Sequence, residues 1–181
     1  QITSRSNYLM NELMKEGLTK DQAAGVAGNI MRESGFKTNL WGDHGTSTGI
    51  AQWHNERITH YNTKFGASGN LADASYEDQV KYLIWDAKQN GTLSAVKRAN
   101  NYAEAANIFE RKFEVSADYK SNGNRYRIKY AGQALNSFND SSGNIDTESL
   151  QTQNTSMATF YKGSSPYEFN GKTSLVGGSN I

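Results

Sequence analysis

The sequence predicts a mostly α-helical domain that is followed by an irregular polar arm. Two observations support this prediction. Apolar residues recur at helical spacing in about seven segments before Phe138, whereas alternating strand patterns are nearly absent. Beyond Phe138 no helical period survives, and Asn, Ser, Thr, Gly and Gln dominate. We therefore divide the chain into a helical domain, residues 1–138, and a linker or C-terminal arm, residues 139–181.

Composition narrows the class of protein before any motif is considered. The chain has 181 residues, of which 36% are apolar, with a mean hydropathy of −0.75 and a formal net charge of +1. Lysines and arginines are scattered, so nucleic acid is not an expected partner. No stretch approaches the roughly 20 apolar residues of a membrane span. Because Gln1 is not followed by an apolar leader, we expect a processed or excised piece, or a protein that leaves the cell without its own signal.

Two helices are predicted in the first part of the chain. One covers residues 6–16, and the central helix covers residues 19–34 with apolar side chains at i, i+3, i+4 and i+7 spacing. A capping box is expected at the start of the central helix, and a left-handed glycine just past its end. The residues that support these bounds are Ser6, Gly17, Thr19, Gln22 and Gly35.

Two glycines, Gly25 and Gly28, lie inside the central helix. Each should cost roughly 1 kcal/mol relative to alanine in a helix interior. They fall away from the apolar stripe, so close packing against a second side of the helix would explain them. Simple tolerance of glycine is the alternative.

Five further helices are predicted after a loop or short hairpin at residues 36–53. The fourth of these is expected to continue from its cap at Asn101 as far as Phe113, and a polar loop at residues 118–124 precedes the last. Their first residues or caps are Asn55, Ser75, Thr92 and Asn101, and the last helix carries Ile128, Ala131, Leu135 and Phe138.

Glu33 is the first candidate for chemistry. It lies in the last turn of the central helix, at the edge of the apolar stripe and one turn from Ile30. Partial burial and the negative end of the helix dipole both disfavour a charged carboxylate at this position. A carboxyl group that stays neutral near physiological pH is what general acid catalysis needs. An exposed acid at a helix end is the alternative interpretation.

A glycine-punctuated polar loop follows, from Gly42 to Trp53. Asp43 is the best-placed second carboxylate by position, although an aspartate in an ordinary turn is the alternative. Gln52 offers amide donors and an acceptor, and Trp53 offers a flat face for a sugar ring. Neighbouring hydroxyl groups either bind sugar hydroxyls or satisfy the backbone of the loop itself. They belong to Thr46, Ser47 and Thr48.

These residues form a recognisable pattern. Glu33-Ser34-Gly35-Phe36, followed by Gly49-Ile50-Ala51-Gln52-Trp53, resembles the phage tail lysozyme family. That family belongs to the lysozyme-like superfamily, together with goose-type lysozymes and lytic transglycosylases. A third matching stretch is Phe113-Glu114 with Arg125 and Ile128-Lys129-Tyr130-Ala131 downstream. The resemblance covers about residues 5–138 and implies a lysozyme-like α-rich domain with a short loop or hairpin after the central helix.

The resemblance implies a muramidase that cleaves peptidoglycan between N-acetylmuramic acid and N-acetylglucosamine, with Glu33 as the acid. Asp43 is expected to position water or stabilise the oxocarbenium-like state, while Gln52, Trp53 and the hydroxyl run line the sugar sites. Glu114 is the runner-up for the second carboxylate, and a salt bridge from Glu114 to an arginine such as Arg125 is the alternative. Expected partners are peptidoglycan strands and other domains or subunits of a phage tail.

We expect the protein in a virion tail or outside the cell, acting locally on the bacterial wall, although conjugation machines carry similar domains. Two other functions remain open: a lytic transglycosylase, in which the muramyl O6 replaces water, and a tail module that binds glycan without cutting it. Neither a cofactor nor a metal is expected, since the histidines lack the spacing of a metal motif and cysteine is absent. Asp73 and Asp86 are expected at the surface.

Overall fold

The computed structural model describes residues 1–115 and 124–142. Within these residues it contains seven α-helices and one small antiparallel sheet, so the predicted mostly α, lysozyme-like fold is confirmed. The arm beyond residue 142, and all but the last residue of the predicted loop 118–124, lie outside the described residues. The helices are α1 (Ile2–Lys15), α2 (Lys20–Ser34), α3 (Asn55–Thr63), α4 (Tyr76–Gln89), α5 (Thr92–Val96), α6 (Tyr102–Phe109) and α7 (Asn124–Ser142). The strands are β1 (Trp41–Gly42), β2 (Ser47–Thr48) and β3 (Trp53–His54).

The central helix α2 is buried along almost its whole length. The predicted capping box is confirmed at its start. The backbone N–H of Gln22 donates to Thr19 Oγ1, and the backbone N–H of Thr19 donates to Gln22 Oε1. Gly35 ends the helix in the left-handed conformation, with φ at 59°. The side chain at position 33 therefore lies in the last turn of a helix whose end is fixed by Gly35.

The two glycines of α2 mark the places where other helices pack against it. A Cβ atom on Gly25 would lie 2.5 Å from the Cβ of Ala105 in α6. On Gly28 it would overlap the carbonyl oxygen of Arg127 and lie 2.6 Å from the amide nitrogen of Ala131 in α7. The interpretation of close packing on a second side is thus confirmed. The contact at Gly28 also brings the start of α7 beside the end of α2.

The first helix differs from its predicted bounds. It begins at Ile2 rather than at residue 6, and Ser6 is a buried residue inside it, so the predicted N-cap is wrong. No proline or glycine interrupts the first residues, and Ile2 packs against the core, which favours an additional turn. The predicted stop at Gly17 agrees with its positive φ of 94°.

The helix predicted from Asn101 to Phe113 is divided in two. Asn101 caps it as expected, but α6 ends at Phe109 and a π-helical turn follows over Glu110–Glu114. The rings of Phe109 and Phe113 stack with centroids 4.6 Å apart inside the core. The chain leaves this turn through Val115 at a φ of 50°, which is costly for a β-branched residue and typical of functional segments.

The last described helix, α7, continues to Ser142, so the boundary predicted at residue 138 falls inside it. Its buried face includes Tyr130, Ala131, Ala134 and Phe138. None of the helices in residues 1–115 and 124–142 combines the length and the apolar character that a membrane crossing requires.

The segment after α2 forms the short hairpin that the sequence predicted. The strands are antiparallel in the order β1-β2-β3, with Trp41 opposite Thr48 and Thr48 opposite Trp53. Two side chains from helices fix its turn at Ile50. Ser34 Oγ donates to the Ile50 carbonyl at 2.7 Å, and the Ile50 amide donates to Gln79 Oε1 at 2.9 Å. The hairpin is therefore anchored between the end of α2 and the start of α4.

Candidate active site

Carboxyl groups from two segments meet a buried arginine where α2, α7 and the π-helical turn converge. Arg127 in α7 is 2% exposed, and its Nη1 lies 2.6 Å from Glu33 Oε1. Its Nε lies 3.3 Å from Oε1 of Glu110, which is fully buried in the π-helical turn. Nη1 also donates to Asn29 Oδ1 at 3.2 Å. Three segments of the chain thus hold Glu33 and Arg127 in one arrangement.

Asn29 connects this arrangement to the helix packing beneath it. Its Nδ2 donates to the Gly25 carbonyl at 3.0 Å and to the Ala106 carbonyl at 3.1 Å, while its Oδ1 faces Arg127. All of its polar atoms are therefore engaged by α2, α6 and α7. The position of Arg127 follows from the close helix contacts that the glycines of α2 permit.

Arg127 is charged despite its burial. Burial alone would lower its pKa, but Glu33, Glu114 and Glu110 surround the guanidinium and together hold its pKa above the ordinary value. One positive charge thus faces three carboxyl groups. Because like charges at short range oppose ionisation, this arrangement favours the retention of a proton by one of the three.

Glu114 is the carboxyl group whose protonated form is most favoured. Burial raises its pKa well above the ordinary value of 4.5, and the negative charge of Glu33 raises it further. Arg127 and Arg57 offset only part of the increase. The Oε1 atom of Glu114 is shielded from solvent and has no hydrogen-bond partner among the described residues. The cluster therefore contains Glu114, whose pKa is raised by burial, and Glu33, which is bound to Arg127.

A second ion pair supports the cluster from α3 and α4. Asp86 Oδ2 accepts hydrogen bonds from Arg57 Nε at 2.9 Å, from Arg57 Nη2 at 2.7 Å and from Trp53 Nε1 at 3.0 Å. Arg57 Nη1 donates to the Phe113 carbonyl at 3.0 Å, and the guanidinium lies over the Phe113 ring. Asp86 is 6% exposed, so the surface position expected from the sequence is wrong. Its burial is tolerated because Arg57 compensates its charge.

Trp53 is placed in the core rather than on a sugar-binding surface. Its side chain is fully buried, its ring meets Tyr82 edge to face with centroids 4.9 Å apart, and its indole N–H is bound to Asp86. Gly49 also packs against the indole, since a Cβ atom added to Gly49 would lie 2.8 Å from the ring. No face of the ring is open to a ligand in this arrangement.

The remaining polar residues of the hairpin bind one another. Ser47 Oγ donates to Gln52 Oε1 at 2.8 Å, and Gln52 Nε2 donates to the carbonyl oxygens of Leu40 and Gly49. Thr48 Oγ1 donates to the Leu40 carbonyl at 3.2 Å. Thr46 is exposed, and its hydroxyl donates to the carbonyl of Asp43 at 2.8 Å. These contacts match the alternative in which the hydroxyl groups satisfy the loop itself.

Asp43 lies apart from the arginine cluster. Its side chain is 68% exposed, and its Oδ2 lies 3.1 Å from Nε2 of His54. Both Asp43 and Glu33 belong to the described residues, and no hydrogen bond or ion pair joins them. The charge of Glu33 acts on Glu114, whose pKa it raises, while Asp43 is paired with His54 instead.

Sequence reasoning missed most of the side chains around Glu33. Arg127 lies on the apolar face of α7, three residues before the buried Tyr130 and four before Ala131, and Glu110 follows the buried Phe109. A charged residue on an apolar helix face was the available signal for a buried ion pair. Arg125, offered by the sequence as a partner for Glu114, is exposed instead, and its Nη2 donates to the Tyr126 hydroxyl at 2.9 Å.

Comparisons with known proteins agree with the resemblance seen in the sequence. The family model for phage tail lysozymes matches residues 4–138, a range that contains every residue of the arginine cluster. Morphogenesis protein 1 of Bacillus phage B103 is 26% identical over 95 residues. Those residues are 50% of this chain but only 25% of that protein, so the chain spans about a quarter of its length. The family match covers most of the chain, which therefore belongs to the phage tail lysozyme family.

Proposed function

We propose that this chain is a muramidase that hydrolyses the bond between N-acetylmuramic acid and N-acetylglucosamine in peptidoglycan. Membership of the phage tail lysozyme family supports a lysozyme-like activity. The observation that carries the proposal is the pairing of Glu33 and Glu114 around Arg127. Glycoside hydrolysis uses two carboxyl groups whose environments give them different protonation states. The arginine cluster supplies such a pair.

In this proposal Glu33 and Glu114 share one proton and act as a unit. The proton rests on Glu114 in the substrate-free protein, because burial and the charge of Glu33 raise the pKa of Glu114. The proton passes from Glu114 to Glu33, and Glu33, at the end of α2 and 19% exposed, contacts the glycosidic oxygen and donates the proton to it. The bond from the anomeric carbon to this oxygen then breaks. Water adds to the anomeric carbon, and its proton returns to the pair.

We prefer Glu114 to Asp43 as the second carboxyl group. The charges of Glu33 and Arg127 both act on Glu114, whereas the exposed carboxylate of Asp43 is paired with His54. The role of Asp43 stays a prediction from the sequence. Arg127 has a positioning role, because it binds Glu33 and is itself held by Asn29 and Glu110.

A lytic transglycosylase is the second candidate. The observation that favours it concerns the hairpin, where the Ser47 and Thr48 hydroxyls expected to hold water are bound to Gln52 and Leu40. A reaction in which the muramyl O6 attacks needs no bound water and can use a single proton donor. The two candidates share Glu33 and differ in the nucleophile.

We also propose that the chain acts for a phage, opening the bacterial wall locally from the virion tail. The family and the phage origin of the relative support this placement. Other parts of a tail, as further domains or as separate subunits, are the proposed partners.

Mass spectrometry of the products released from purified peptidoglycan tests the reaction. The muramidase proposal expects fragments with reducing N-acetylmuramic acid ends, because water enters the product. Cyclised anhydro ends would establish the transglycosylase instead. If the protein binds the wall but releases no fragments, both enzyme proposals are wrong, and a glycan-binding tail module is the remaining function.

A further inference from the structure

A groove of about 600 Å³ lies between α3, α4 and the π-helical turn. Among the described residues, three permanently cationic side chains line it, and Asp86 is the one carboxylate. The Trp85 ring and the exposed Val115 side chain form an apolar part of the wall. The cationic residues are Arg57, Lys64 and Lys112, with His60 beside them.

The positive charge of this groove is not neutralised by the residues that the structure describes. Arg57 and Asp86 compensate each other, with Nη2 and Oδ2 2.7 Å apart. Lys64 and Lys112 are exposed and make no ion pair or hydrogen bond through their side chains with any described residue. Two positive charges therefore remain, and His60 adds a third when it is protonated. The groove is complementary to an anionic ligand that also has apolar surface.

The groove shares a wall with the proposed catalytic pair. Phe113 and Val115, which both line it, are the chain neighbours of Glu114. Arg57 donates to the Phe113 carbonyl at 3.0 Å and lies close enough to Glu114 for its charge to act on that carboxyl. A ligand in the groove would therefore lie beside Glu114, one member of the proposed catalytic pair.

We propose that this groove binds the stem peptide of peptidoglycan through the carboxylate groups of the peptide. The stem peptide is attached to N-acetylmuramic acid, the sugar at the bond that the proposed reaction cleaves, so a groove beside the catalytic pair is within its reach. Its free carboxylates suit Lys64 and Lys112, and its methyl side chains suit Trp85 and the exposed Val115. The choice of this polymer rests on the proposed function; the anionic character of the ligand rests on the groove alone.

A ligand without a glycosidic bond tests this proposal independently of cleavage. The unmutated protein is titrated, by NMR or calorimetry, with N-acetylmuramic acid that carries a short stem peptide. The same compound with its carboxylates converted to amides is the matched control ligand. We expect amidation to weaken binding about ten-fold, since two charge-assisted contacts are lost. Added salt should weaken the carboxylate form much more than the amide form.

Variants of the two exposed lysines locate the binding. A K64Q/K112Q double variant should bind the carboxylate form no better than the amide form, while its affinity for the amide form stays unchanged. Lys15→Gln, an exposed lysine on α1 that pairs with Glu12, is the matched control and should behave as the unmutated protein. Equal affinity for the two ligand forms, or an unaffected double variant, would overturn the proposal.

A further titration separates carboxylate from phosphate as the source of the anion. Short glycerol-phosphate polymers, which mimic wall teichoic acid, should bind more weakly than the stem-peptide ligand. Tighter binding of the phosphate polymer that is lost in K64Q/K112Q would overturn the peptide assignment. Because no bond is cleaved in these titrations, their failure leaves the muramidase proposal intact, and the product analysis above decides that proposal separately.

Discussion

The hairpin of residues 41–54 and the cluster around Arg127 are both rich in polar side chains, but their polar groups are used differently. In the hairpin, Ser47, Thr48 and Gln52 bond to one another and to nearby carbonyl oxygens. In the cluster, burial and the charge of Glu33 raise the pKa of Glu114. Satisfied polar groups stabilise a turn, whereas ionisable groups held together at an energetic cost are typical of functional sites. The number of polar residues in a segment is thus a poorer guide to function than the presence of ionisable groups whose burial or mutual repulsion is energetically unfavourable.

Glu33→Gln should have the largest effect on activity. We expect the rate of wall lysis to fall by about two to four orders of magnitude, because the side chain can no longer deliver a proton. The measurement is turbidity loss of purified cell walls. Glu77→Gln, at an exposed acid in the first turn of α4, is the control and should leave the rate unchanged. A Glu33→Gln protein that keeps more than about a tenth of the activity cannot be reconciled with a catalytic Glu33.

Trp53→Ala tests whether the hairpin is structural. Removal of this buried indole should lower the free energy of unfolding by about 3–5 kcal/mol, as for other large core side chains. Urea unfolding followed by circular dichroism measures the change. Trp53→Phe, which keeps a ring but loses the bond to Asp86, should be less destabilising. Normal stability of Trp53→Ala combined with weakened binding of glycan would restore the sugar-binding role predicted from the sequence.

Gly28→Ala tests how helix packing positions the cluster. The new Cβ atom would overlap backbone atoms of α7, at Arg127 and Ala131, which cannot move independently of the helix. We expect a loss of about 1–3 kcal/mol in stability, together with reduced activity, because α7 carries Arg127. Gly132→Ala is the milder control, since its Cβ would meet the Tyr102 side chain at 3.3 Å. Equal stability of the two variants would argue against the close α2–α7 contact.

Glu114→Gln should change how stability depends on pH. The folded protein keeps a proton on Glu114 that the unfolded chain releases near the ordinary value of 4.5. Above that value unfolding releases this proton, so its contribution makes the folded state less stable as pH rises towards the raised pKa. Glutamine does not titrate, so the variant lacks this pH-dependent contribution to the free energy of unfolding. Thermal unfolding should show equal midpoints below pH 4.5 and a midpoint a few degrees higher for the variant at neutral pH. A lower midpoint at neutral pH would show that a charged Glu114 stabilises the fold.

The helix ends that were predicted correctly from the sequence are fixed by contacts between residues close together in the chain. Thr19 with Gln22, and Gly35, fix the ends of α2 through contacts within a few residues. The start of α1 and the π-helical turn at Glu110–Glu114 depend on packing against distant segments, which single-sequence patterns do not report.

The candidate site could be predicted only in part for the same reason. Glu33 could be named as a candidate acid because its position at a helix end and its motif are local features of the sequence. Its partner Arg127 is far away in sequence, and their contact requires the close approach of α7 at Gly28. Trp53 suits a sugar face and a core equally well by residue type, and only the three-dimensional arrangement separates the two.

The most direct test of the central claim compares the wall-lysis rates of Glu33→Gln, Glu114→Gln, the double variant and Asp43→Asn. If Glu33 and Glu114 share one proton, each single variant loses about two to four orders of magnitude and the double variant loses no more. Glutamine keeps the shape and neutrality of protonated Glu114, so a purely structural role would leave Glu114→Gln active. Asp43→Asn should stay within about three-fold of the unmutated rate. An active Glu114→Gln together with an inactive Asp43→Asn would contradict the account and return the second role to the hairpin.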